Sequence, residues 1–172
     1  MKTWMLGLFL AVFVAPAGKA TDVLLSFRGG IGVDPVGGIN GMTGLPTLNT
    51  VRNVGPGGAP WRIGSLRADI DVSGRINVVG RGLLLAGGNG IGTNGGQIVR
   101  ALLLCAATPT RAASSHATNP DGVALAANGD FRIDDALSPA PASCASPILL
   151  IVNVPGGRWF AAGILANDDA ED

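Results

Sequence analysis

The chain has 172 residues, with 12 basic and 12 acidic side chains, 27 glycines, 11 prolines, one histidine and two cysteines. That length suits one domain around one core, and a balanced charge argues against nucleic acid or any other polyanionic partner. One histidine and two cysteines are too few ligands for a zinc or copper centre.

At the N-terminus, Lys2 precedes an apolar run from Trp4 to Val14, followed by the small residues Ala15, Ala17, Gly18 and Ala20. This is the layout of a secretory signal peptide, with cut sites at Ala15-Pro16-Ala17 or Gly18-Lys19-Ala20, and the run is too short to span a bilayer. Residues 1–20 are therefore expected to be removed, with Thr21 opening a secreted or periplasmic chain. Lys2 and Lys19 are the only lysines, so the remainder keeps ten arginines against twelve acids. No cysteine near the cut could take a lipid, and no later stretch approaches the roughly 20 apolar residues of a spanning helix. No transmembrane anchor is expected.

Gly29 to Pro60 contains ten glycines and four prolines around only two charges, Asp34 and Arg52. A structureless stretch of that length is uncommon inside a domain, so it is either a functional loop or hides short strands. Trp61 and Ile63 then alternate on one parity, and Leu66, Ala68, Ile70 and Val72 on the other, with Arg67, Asp69 and Asp71 between them. The period of two predicts a half-buried strand, and the switch at Gly64-Ser65 predicts a bulge. Ser73-Gly74 reads as a turn, with Ile76, Val78 and Leu83 to Ala86 as the return strand.

The apolar run Gln97 to Cys105 suits a buried strand. Asp130-Phe131-Arg132-Ile133-Asp134 alternates after an Asn128-Gly129 turn, and Pro147 to Val154 with Arg158 to Leu165 reads as a closing hairpin around Pro155-Gly156-Gly157. Residues 21–166 are thus expected to form one all-β domain, an antiparallel β-sandwich, immunoglobulin-like or similar, with long Gly-rich loops. Cys105 and Cys144 are expected to form one disulfide, since a cysteine pair in an exported chain is normally bridged. Asp168, Asp169, Glu171 and Asp172 make residues 167–172 an acidic tail, expected to be disordered.

Several motifs carry a chemical suggestion and a simpler explanation. Gly90-Ile91-Gly92-Thr93-Asn94-Gly95 matches G-x-G-x-x-G, but no acid follows about 20 residues on, as a dinucleotide fold requires. A Gly-rich hairpin loop explains it better. His116 lies near Ser114, Ser115 and Asp121, the ingredients of a hydrolase, without a nucleophile elbow. Asp121, Asp130, Asp134 and Asp135 supply oxygen ligands that could hold calcium, without EF-hand spacing; Arg132 between Asp130 and Asp134 points instead to a charged strand face. Trp61, Trp159 and Phe160 could form a platform for a sugar, but their apolar alternation favours the core.

No family with known chemistry is identified by these motifs, and no cofactor is implied. The function expected is a non-enzymatic module, binding or structural, in the envelope or extracellular matrix. Its contacts with an envelope or extracellular partner would come from the loops Gly29 to Pro60 and Gly87 to Gly96, with Trp61, Gly90, Asn94 and Trp159 as ligand contacts. The alternative is a secreted hydrolase using His116 or an Asp pair, of which Asp69 with Asp71 on one strand face is the nearest.

Overall fold

Alternating apolar and polar side chains build the centre of this protein, whose computed structural model describes residues 22–166. The expected signal peptide and acidic tail lie outside the described residues. In chain order the strands are β1 (Val23–Gly32), β2 (Val36–Ile39), β3 (Pro46–Leu48), β4 (Trp61–Arg62), β5 (Ser65–Asp71), β6 (Arg75–Arg81) and β7 (Leu84–Leu85). They continue as β8 (Ile98–Ala106), β9 (Ser114–Ala117), β10 (Val123–Ala124), β11 (Phe131–Ala136), β12 (Ala145–Asn153) and β13 (Trp159–Leu165). The described residues contain no helix, hence none long and apolar enough to cross a membrane.

The fold is all-β with antiparallel ladders and a Cys105–Cys144 disulfide. Nine strands form one sheet in the order β10-β8-β12-β13-β1-β5-β6-β11, with β9 also on the free side of β8. Instead of dividing into the two facing sheets of the expected sandwich, this sheet curls until its ends meet. Ala117 of β9 and Ser138, just past β11, exchange two backbone hydrogen bonds of 3.2 and 2.8 Å, which nearly closes a barrel. Closure satisfies the edge groups that an open sheet would leave unpaired.

Leu66, Ala68 and Ile70 of β5, with Ile76 and Val78 of β6, face the interior beside Phe27, Val99, Leu103, Leu149 and Ile151, all fully buried. On β12 and β13 the outer face is covered too, leaving Leu150, Val152, Trp159 and Phe160 buried. Residues 49–60 cover it: Gly57 N–H donates to the Trp159 carbonyl, Trp159 N–H to that of Gly55, and the Trp159 indole to that of Asn49, each at 2.9–3.0 Å. Arg52 fastens this strap by donating to the Leu104 and Ser146 carbonyls.

Two local expectations are corrected. Leu83 to Ala86 does not continue the return strand: Gly82, at φ +66°, turns the chain away, and Leu84–Leu85 pairs with Trp61–Arg62 as a separate ladder. The parity switch at Gly64-Ser65 is therefore a strand boundary, not a bulge. Gly29 to Pro60 proves to hold the end of β1 and the β2–β3 hairpin.

Asp71 closes the β5–β6 turn, its Oδ1 accepting from the Ser73 hydroxyl at 2.6 Å and from the backbone N–H groups of Ser73 and Arg75. The Ser73 hydroxyl above all, with those N–H groups and the Arg75 charge, outweighs desolvation and holds this carboxyl below its ordinary value. A depressed carboxylate stabilises the fold above its unfolded pKa, and the contribution is lost as pH falls through the folded value. Asp71→Asn is expected to melt below the parent near neutral pH, with the gap closing in acid. A gap that persists unchanged in acid would show that the charge is irrelevant to the turn.

Candidate functional site

The largest departure from ordinary burial is the β2–β3 hairpin. Every residue from Val36 to Leu48 is exposed, including Val36, Ile39 (64%), Met42 (98%), Leu45 and Leu48 (62%). No charged residue occurs between Asp34 and Arg52. Val36 stands opposite Leu48 and Ile39 opposite Pro46. Asn40 organises the tip: its N–H donates to the Leu45 carbonyl, its own carbonyl accepts from Gly44, and its side-chain oxygen accepts from Met42 and Thr43 N–H. Such an Asx-capped turn is ordered by its own sequence. Sequence reasoning spreads the expected contact surface over residues 29–60 and 87–96; the apolar spacing 36, 39, 42, 45 and 48 is the signal that singles out this hairpin.

The second Gly-rich segment is a folded loop. Leu85 N–H donates to the Thr93 carbonyl and Gly92 N–H to that of Leu85, while the Asn94 amide donates to the carbonyls of Leu125 and Ala126. Asn94 is thus a tie between loops. After Gly95 the chain enters β8 rather than a helix, so no helix N-terminus awaits a pyrophosphate at Gly90. Trp61 is buried and stacks on Phe160, ring centroids 4.1 Å apart and planes at 12°. Trp159 is buried under the strap, bonded to Asn49. Gly57, Gly58 and Gly95 meet Trp61, Gln97 and Arg158 around a shallow pocket of about 390 Å³. Both glycine-rich segments therefore converge there, beside the buried Trp61 and Phe160.

His116 is buried with both ring nitrogens engaged: Nδ1 lies 2.6 Å from the Pro139 carbonyl and Nε2 lies 2.8 Å from the Ser114 hydroxyl. The carbonyl can only accept, so Nδ1 carries the proton and the bare Nε2 accepts from Ser114. Ser114 and His116, two apart on β9, share the face that also holds their partners Cys105 and Leu103. Ser114 lines a cleft of about 460 Å³ with Arg52, Leu104, Cys105 and Ala113. Asp121 is not part of this arrangement; it lines a different cleft.

The acidic residues divide. Asp121, Asp134 and Asp135 border one cleft of about 270 Å³, while Asp130 faces away and accepts from Gly82 N–H. Asp135 accepts from the N–H groups of Asn119 and Ala136, and Asp134 pairs with Arg75 of β6 at 3.0 Å, a cross-strand partner where the neighbouring Arg132 was expected. Among the described residues no three His, Cys, Asp or Glu side chains are grouped closely enough to hold a metal ion. Asp69 takes the Ser26 hydroxyl and Arg28, at 2.7 and 2.6 Å, and Asp71 is committed to its turn. A general acid needs a raised pKa, and that of Asp71 is lowered.

No family model, curated protein or solved structure matches this chain.

Proposed function

We propose that this protein is a secreted or periplasmic, non-enzymatic binding module of the envelope or extracellular matrix, with the β2–β3 hairpin as its contact element. The observation that carries this reading is the free-standing, charge-free hairpin with its large apolar side chains in solvent. Isolated two-stranded hairpins are marginal in water, and contiguous apolar exposure of this kind accompanies interaction sites. The disulfide suits an oxidising compartment. In the native host, replacing Ile39, Met42 and Leu45 together by serine is expected to release the protein from the envelope or matrix fraction into the soluble one without lowering its melting temperature. Unchanged fractionation would overturn the reading.

One observation favours a second reading, a secreted hydrolase built on Ser114 and His116. With the proton fixed on Nδ1 by Pro139, Nε2 is placed to take the Ser114 proton as Oγ attacks an ester carbonyl, then to return it to the departing alkoxide. Water would release the acyl group by the same route. The binding reading expects no labelling by a fluorophosphonate. Labelling that vanishes in both Ser114→Ala and His116→Ala would transfer the function to hydrolysis.

A further inference from the structure

We infer that the hairpin inserts its tip into the interfacial region of an uncharged lipid surface, an inference that rests on the hairpin being the contact element. Three features suit entry into lipid. The apolar side chains run from base to tip: Val36, Leu48 and Ile39 share one face by the register, Leu45 lies beside the turn, and Met42 caps the tip at 98% exposure. With the tip itself apolar, end-on entry buries these side chains in turn. The segment between Asp34 and Arg52 carries no charge whose dehydration would oppose entry.

The third feature is the backbone. Polar main-chain groups bar most loops from an apolar phase, because each unpaired group loses its water. Here the N–H groups of Asn40, Met42, Thr43, Gly44 and Leu45 all donate within the tip, the last to the Thr43 hydroxyl at 3.4 Å, and Pro46 has none to satisfy. Between Asn40 and Leu45 only Gly41 keeps a donor for water or a headgroup. Val36 to Ile39 spans roughly 10 Å at strand rise with the Asn40–Leu45 turn beyond it, enough to pass the 5–10 Å depth of interfacial binding while the barrel stays in water.

Flotation of the full mature chain with phosphatidylcholine vesicles tests this. The parent protein is expected to float with the vesicles equally well at low and high salt, because no basic residue on the hairpin engages headgroups. Ile39→Asp combined with Met42→Asp is expected to weaken partitioning by at least about tenfold, from lost apolar burial. Both side chains are exposed, so the far-ultraviolet circular dichroism and melting curve should match the parent. A parent that stays with the soluble fraction, or a double variant that floats equally well, overturns the lipid inference. If vesicles fail but serine replacement still releases the protein from the host envelope or matrix, the partner is a protein and the contact role of the hairpin stands; if both fail, that role falls as well.

Discussion

Replacing both cysteines, Cys105→Ser with Cys144→Ser, is expected to lower the unfolding free energy by about 4 kcal/mol, the chain-entropy value for a bridge between residues 39 positions apart. Domains of this size have about 5–15 kcal/mol in total, so the loss approaches the stability of the weaker ones. The bridge encloses β9, β10 and β11, which make the seam where the sheet meets itself through Ala117 and Ser138. Without it, the unfolded chain gains freedom in the segment whose docking closes the barrel. The melting temperature should fall by about 8–16 °C at the sensitivity usual for this chain length. A fall under about 3 °C would mean that the chain-entropy account fails here, through strain in the native bridge or residual structure in the unfolded chain.

Gly32→Ala is expected to cost about 3 kcal/mol, the upper part of the range for overpacking. A Cβ at this position would lie 2.0 Å from the Trp61 carbonyl oxygen and 2.7 Å from the Arg62 Cα. These are main-chain atoms, so no rotamer change relieves the clash. Either β4 lifts from the end of β1 or Trp61 leaves its stack on Phe160. Gly41→Ala is the matched control: its Cβ would meet nothing within 4 Å, and its stability should equal that of the parent. Equal effects of the two substitutions in a denaturant melt would refute this packing.

The same glycine explains why β1 is hidden in the sequence. Gly29, Gly30 and Gly32 read as loop, yet at Gly30 a Cβ would fall 2.9 Å from that of Leu66 and at Gly32 it would strike backbone. These glycines mark neighbours that approach closely in the middle of packed structure. β5 and β6 were legible because one face is core and the other wet, which imposes alternation on Leu66, Ala68 and Ile70. β2 and β3 were not, because with neither face buried nothing imposes the strand period of two. β12 and β13 were legible as an apolar hairpin, though not the reason, the strap that buries their second face.

Closure escaped sequence reasoning because it depends on backbone bonds between Ala117 and Ser138, which carry no side-chain signature. The Ser114 and His116 spacing was visible, but the Pro139 carbonyl that fixes the imidazole comes from a distant segment and left no trace in the pattern. For the hairpin, composition marked Gly29 to Pro60 as a Gly-rich stretch with two charges. Absence of charge was visible; the Asn40 bonds that hold the apolar tip in place were not.

The most direct measurement is photo-crosslinking from the hairpin tip in the native host. With Met42→p-benzoylphenylalanine, irradiation is expected to give adducts with an envelope or matrix component, and the same group at exposed Ala127, in the turn before β11, is expected to give none. Adducts from position 127 but not from position 42, or none from position 42 in intact cells, would contradict the assignment of the hairpin as the contact element.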